Sequence, residues 1–215
     1  MNETLSFILS QKIIAIVRGI YGEDILRLAE ALLRGGIHLV EVTYDQTGDP
    51  EKTAKAIRDL RDHFRGDLLP GAGTVMNKDQ VRVSCEAGAE YIISPNVSEE
   101  VIRETKGLGL LSFPGALTPT EIASAYDLGA DVVKVFPASV LGPSYIKAVK
   151  APLKHIPLMA VGGVNEQNAG DFIRAGAAGV GVGGNLVNKA FVQGGEFDRI
   201  TEIAGKLHAN VFQTE

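Results

Sequence analysis

Eight short apolar strands, each followed by an amphipathic helix, predict an α/β chain folded as a (β/α)8 TIM barrel. The alternation runs end to end with no linker, so the 215 residues form one domain, residues 1–215, within the size range of such barrels, which begins near roughly 200 residues. The 25 glycines punctuate apolar segments at strand-to-helix turns and do not form a low-complexity tract. An open doubly wound sheet would carry a dinucleotide fingerprint after its first strand, where this chain reads Arg18-Gly19-Ile20. The partial matches Gly71-Ala-Gly73 and Gly181-Val-Gly183 have Met76 and Leu186 in place of the third glycine.

A leading helix is predicted over residues 3–11, then a first strand Ile13–Val17 ending at Arg18-Gly19. The helix over 23–34 stops at Gly35-Gly36, a C-terminal glycine signal. Strand two is His38–Thr43, followed by a polar loop and a helix near 51–64. Strand three, Leu68–Thr74, precedes a helix capped by Asn77 that ends near Ala87. Strand four is Tyr91–Ser94, then a helix over 98–108 and strand five, Leu110–Phe113, before Pro114-Gly115. Thr118-Pro-Thr-Glu121 is a helix start, with a cap hydroxyl, Pro at the first position and Glu at the third. That helix ends at Gly129, and strand six spans the run Asp131–Ala138. A helix over about 143–150 leads to strand seven, Leu158–Val161, which ends in Gly162-Gly163. Asn165 opens the next helix, strand eight is Gly179–Val182 with Gly183-Gly184 after it, and a last helix covers about 197–211.

The formal net charge is -5, with no basic arm, which excludes nucleic acid as the main partner. The single Cys85 has no companion for a disulfide or metal cluster, so a reducing cytoplasm is expected. Residues 1–11 lack the charged and apolar regions of a signal peptide, and no apolar run approaches the roughly 20 residues that span a bilayer. His38, His63, His155 and His208 show no ligand spacing, so no metal is expected.

Chemistry in a barrel sits at the C-terminal ends of the strands. Lys134 interrupts the β-branched and aromatic run of strand six. Burial disfavours a charged ammonium, and a neutral amine in an apolar pocket is the nucleophile that forms a Schiff base with a carbonyl. The alternative is a lysine that snorkels its head to water. Glu41 and Thr43, two apart in Leu39-Val-Glu-Val-Thr43, share the face toward the barrel interior. A buried glutamate is costly unless paired or functional, so Glu41 serves as an ion-pair partner of Lys134, as the general acid/base beside it, or as both. Gly162-Gly163 and Gly183-Gly184 fall at the two loops that commonly cradle phosphate in these barrels. Arg18, on the rim, holds a substrate carboxylate or phosphate or makes a surface salt bridge. The Thr74 hydroxyl with the Gly73 N–H would receive a carboxylate, or Thr74 would cap the following helix.

Taken together, Glu41-Val-Thr43, Gly71-Ala-Gly-Thr74, Ile93-Ser-Pro95, Phe113-Pro-Gly115 with Thr118–Glu121, Val133-Lys-Val-Phe-Pro137, Gly162-Gly-Val164 and Gly183-Gly184 resemble the class I 2-keto-3-deoxy-6-phosphogluconate (KDPG)/4-hydroxy-2-oxoglutarate (KHG) aldolases. The resemblance runs nearly end to end. It implies a barrel, usually a homotrimer, that reversibly splits a phosphorylated 2-keto-3-deoxy sugar acid into pyruvate and glyceraldehyde 3-phosphate with no metal or organic cofactor. It matches Lys134 to the Schiff-base lysine, Glu41 to the acid/base, Thr74 to a residue near the pyruvate carboxylate, the four glycines to the phosphate loops, and Phe136 to an aromatic against the pyruvyl group. Asp45 stands where many gluconate-type members carry arginine, and Val161 where many carry threonine. Arg18-Gly-Ile20, Ala160–Val164 and Gly142–Lys147 look more like the 6-phosphogalactonate branch, and Thr43 more like the gluconate branch. With Asp45 in the loop, Arg18 is the candidate cation for the carboxylate. The rival readings are a phosphosugar isomerase or epimerase that uses Glu41 without a covalent step, and a non-catalytic phosphometabolite-binding barrel.

Overall fold

A computed structural model describes residues 3–213. Helix α1 (Glu3–Gln11) precedes β1 (Ile13–Val17), and the units that follow are α2 (Glu23–Arg34), β2 (Leu39–Thr43), α3 (Pro50–Phe64), β3 (Leu69–Gly73), α4 (Lys78–Ala87), β4 (Tyr91–Ile93) and α5 (Glu99–Gly107). Next come β5 (Leu111–Phe113), β6 (Gly115–Ala116), α6 (Pro119–Asp127), β7 (Val133–Val135) and α7 (Ala138–Lys150). The chain finishes with β8 (Leu158–Val161), α8 (Ala169–Arg174), β9 (Gly179–Val182), α9 (Lys189–Gln193) and α10 (Phe197–Phe212).

All strand pairs are parallel, in the order β5-β4-β3-β2-β1-β9-β8-β7-β6. The two ends of that order are one barrel strand split at Pro114, which has no N–H to continue the ladder. β5 pairs with β4 and β6 with β7. The Lys134 N–H donates to Pro114 O at 2.9 Å, and the Asp131 N–H to Ser112 O at 2.9 Å, which closes the ring. This is the (β/α)8 barrel, with its fifth strand in two pieces.

The period-2 alternation of strands sorts the apolar side chains into two layers. Ile13, Ala15, Val17, Val40, Val42, Ala72, Ile92, Val133, Val135, Leu158, Ala160, Val180 and Val182 face the helices. Ile14, Leu39, Tyr91, Ile93, Leu111, Phe113, Met159 and Val161 fill the interior together with Ile8 of α1, which plugs one end. The interior positions Gly71, Gly73, Gly179 and Gly181 leave room for large neighbours. A Cβ on Gly71 would lie 2.1 Å from the Tyr91 ring, and one on Gly181 2.9 Å from Val161. The incomplete glycine fingerprints of β3 and β9 are therefore packing devices.

Three helical stretches differ from the sequence expectation. α7 starts at Ala138, ahead of the expected start near 143, and contains a break at Gly142 (φ 72°, ψ 179°) just before Pro143. α8 begins at Ala169 because the Asn165 side chain accepts from the N–H groups of Gln167 and Asn168, forming a turn first. The short α9, capped by the Asn188 side chain, has no counterpart in the sequence expectation. The Thr118–Glu121 capping box forms as expected, and Asn77 caps α4.

Candidate active site

Glu41 and Lys134 are the only charged side chains in the buried interior among the described residues, at 2% and 7% exposure. Each reaches it by strand periodicity, β2 carrying Glu41 and β7 carrying Lys134 on the inward face. Both open into a cavity of about 680 Å³ at the C-terminal end of the barrel. Burial pushes the Glu41 carboxyl above its ordinary range, while the charges of Lys134 and Arg18 pull it back down. Among the described residues, no ion pair within 4.0 Å joins Glu41 to Lys134, so the two groups face one cavity without neutralising each other by contact. The Lys134 Nζ lies 5.0 Å from the ring centroid of Phe136, a residue 39% exposed.

Arg18, Thr74, Phe136, Gly162, Gly163, Gly183 and Gly184 line the same cavity. Gly162 and Gly163 adopt positive φ (95° and 75°), a conformation that favours glycine. Their carbonyls are occupied: Ser139 N–H donates to Gly162 O at 2.9 Å and Asn168 Nδ2 to Gly163 O at 3.0 Å. Gly183 O accepts from the N–H groups of Leu186 and Val187. The groups these turns can offer a ligand are therefore N–H donors, the requirement for holding a phosphate.

Thr43 and Gly73 lie elsewhere. The Thr43 hydroxyl donates to Val17 O at 3.3 Å, and the residue lines an adjoining cavity of about 490 Å³ with Asp45, Gln46 and Lys52. Gly73 is an inward position of β3 where a Cβ would fall 1.8 Å from Glu41 Oε1. Its carbonyl accepts from Tyr44 N–H at 2.8 Å. Gly73 makes space for the glutamate and does not line the cavity. Asp45 accepts from both the backbone N–H and the hydroxyl of Thr47, bonds that hold its carboxyl below the usual carboxylate range.

Thr74 follows β3 in the left-handed region, φ 56°, a conformation that costs a residue with a branched Cβ of order 1–3 kcal/mol. None of the hydrogen bonds among the described residues uses its hydroxyl, which leaves that group to the cavity.

Lys189, at the start of α9, lines both cavities and does not stand out in the sequence. Its Nζ comes within 3.0 Å of a Cβ built on Gly19, beside Arg18, and no carboxylate lies within 4.0 Å of it among the described residues. An exposed lysine is ordinarily a solvated charge, so the usable signal was its position five residues after Gly184. Val161, Pro95 and Asn185 are also part of the wall. Among the described residues, no group of three His, Cys, Asp or Glu side chains converges to hold a metal ion.

The sequence pattern described as "KDPG and KHG aldolase" matches residues 5–203. The 2-dehydro-3-deoxy-6-phosphogalactonate aldolase of Escherichia coli (strain K12) is 38% identical over 175 residues, which is 81% of this chain and 83% of that protein. The 2-dehydro-3-deoxy-phosphogluconate aldolase of Haemophilus influenzae is 30% identical over 198 residues, 91% of each chain. Among solved structures, the KDPG aldolase of Legionella pneumophila, with pyruvate captured at low pH as a covalent carbinolamine intermediate, superposes with a TM-score of 0.85 at 28% identity. It covers 96% of this chain and 98% of that one.

Proposed function

This chain belongs to the KDPG and KHG aldolase family, and from that premise we propose that Lys134 and Glu41 are the reacting pair of a class I aldolase. The enzyme reversibly cleaves 2-dehydro-3-deoxy-6-phosphogluconate to pyruvate and glyceraldehyde 3-phosphate. The observation that carries this reading is the pair itself: a buried lysine and a buried glutamate opening into one cavity that two glycine turns also line.

The free-amine form of Lys134 attacks the substrate C2 carbonyl, and Glu41 moves protons while the carbinolamine loses water to become a protonated imine. Glu41 then takes the C4 hydroxyl proton, directly or through water. The C3–C4 bond breaks, its electron pair passes into the imine as an enamine, and the aldehyde leaves. Protonation of the enamine carbon by Glu41 and hydrolysis of the imine release pyruvate and regenerate the amine. Thr74 and Arg18 receive the carboxylate, and Phe136 packs on the pyruvyl group. The N–H groups of Gly162, Gly163, Gly183 and Gly184 hold the phosphate, with Lys189 supplying the cation that backbone dipoles lack. The phosphate is remote from the reacting bond, so its binding energy serves to position that bond.

A second reading, 2-dehydro-3-deoxy-6-phosphogalactonate as substrate, is favoured by the similarity to the Escherichia coli protein and by the apolar Val161 in the cavity wall. Parallel assays with the two C4 epimers separate them. We also infer a homotrimeric, cytoplasmic protein of one barrel domain. Sedimentation gives the subunit count.

Borohydride reduction with pyruvate should fix a single adduct on Lys134, identified by mass spectrometry. Lys134→Met should lower turnover by at least about 10³-fold, as for loss of a covalent nucleophile, and keep the circular dichroism of the parent. An adduct elsewhere, or none, would overturn the mechanism. An isomerase or epimerase would turn over its substrate with nothing to trap.

A further inference from the structure

Of the three non-glycine residues with positive φ among the described residues (Lys12, Arg65 and Thr74), Thr74 alone lines the cavity that holds Glu41 and Lys134. The turn that contains it is tied down on every side. Gly73 O accepts from Tyr44 N–H at 2.8 Å, and Val75 N–H donates to Ile93 O at 3.2 Å. Beyond these backbone bonds runs a chain of side-chain amides. Gln46, from the loop after β2, donates its Nε2 to Thr74 O at 2.7 Å. Its Oε1 accepts from Gln80 Nε2 at 3.1 Å, and Gln80 Oε1 accepts from Met76 N–H at 2.7 Å. Gln80 is itself fixed in the first turn of α4, its backbone N–H donating to the Asn77 side chain at 2.9 Å and its carbonyl accepting from Ser84 Oγ at 2.7 Å.

We propose that Gln46 and Gln80 form an amide relay that positions Thr74 for the substrate's carboxylate. The proposal rests on the aldolase reading above. Gln46 keeps the Thr74 carbonyl engaged as an acceptor. Without that donor the 74–75 peptide is held only through the Val75 N–H bond to Ile93 O at 3.2 Å, and its carbonyl, left without a partner, tilts its acceptor dipole toward the anion, which repels it. A left-handed backbone outside glycine persists only where its surroundings over-determine it, and the relay supplies that determination from the loop after β2 and the first turn of α4. Neither glutamine would react. Each acts through Thr74, so its removal weakens carboxylate binding and leaves the Lys134 chemistry intact. A simple loop staple would instead affect stability alone.

The test follows the exchange of pyruvate methyl protons for deuterium by NMR, in the parent, Gln46→Met, Gln80→Met and the double variant. Gln46→Met should raise the pyruvate KM by about fivefold, the order expected for one neutral hydrogen bond, with the maximal exchange rate within about twofold of the parent. The double variant should be no worse than the more affected single one, since the two act as one unit. Amide hydrogen exchange of Met76 should accelerate in both single variants at unchanged melting temperature. A parental KM, additive effects, or undisturbed Met76 protection would overturn the relay. A parent protein that exchanges no pyruvate proton and traps no adduct would overturn the aldolase reading instead, and Met76 protection would still decide whether the relay holds.

Discussion

Glu41 is a carboxyl held above its ordinary range by burial, the largest influence on it, against the opposing charges of Lys134 and Arg18. The folded state therefore binds its proton more tightly than the unfolded chain, whose ordinary value is 4.5. Its contribution to stability is complete below that value and is lost as pH rises through the raised value in the folded protein. Glu41→Gln should accordingly melt at higher temperature than the parent at neutral pH. The difference should shrink toward acid pH, as differential scanning calorimetry across a pH series would show. The same substitution should lower kcat by about 10²- to 10⁴-fold, the range for loss of a general acid/base. Such a gain in stability with a loss in rate is the mark of a residue kept for chemistry. Lys134 and Glu41 were legible in the sequence because a charge inside an apolar strand is costly to bury unless it is paired or put to use. Lys189 was not, since an exposed lysine reads as a solvated charge until the fold brings it over Gly19. Neither Thr74's backbone conformation nor its glutamine partners leave a trace in the residue string.

Elements turn on two glycines of β3 that occupy equivalent inward positions and do different work. Gly71 leaves space for the Tyr91 ring, which stacks on Phe113 at 5.6 Å between centroids. Gly73 leaves space for the Glu41 carboxylate. Gly71→Ala should overpack the interior and destabilise the protein by about 1–3 kcal/mol, measured by chemical denaturation, with residual activity close to the parent's in the fraction that folds. Gly73→Ala should push the carboxylate from its seat and reduce kcat by about 10²-fold, with a smaller loss in melting temperature. Equal effects of the two on rate would contradict this division. Most strands and helices were readable from period, caps and glycine stops, because those signals are local. The break at Gly142 and the split at Pro114 were not. A Gly-Pro or Pro-Gly pair marks a turn, but whether a helix or strand resumes beyond it depends on what the neighbouring strand offers.

Over the whole molecule, the charge is -5, yet the cavity mouth carries Arg18 and Lys189 with no carboxylate within 4.0 Å of either among the described residues. An anionic substrate thus meets a local field opposite in sign to the net charge. The value of kcat/KM should fall by roughly two- to fivefold between about 0.01 M and 0.15 M salt, where the screening length shortens from about 30 to 8 Å. Lys189→Gln should flatten that dependence and raise KM for the phosphorylated substrate, with pyruvate proton exchange unchanged. Steady-state kinetics at several ionic strengths would reveal a failure of either. By itself the sequence determined the barrel, its strand order along the chain and the identity of the buried amine and acid, because alternation, caps and misplaced charges act over a few residues. Tertiary structure alone decided that Gly73 seats Glu41, that Thr43 turns to Val17, that Lys189 and Arg18 share a rim, and that two glutamines brace Thr74. Those relations join residues from different strands and loops, and only the pairing of β1 with β2 and β9, and of β2 with β3, sets their distances.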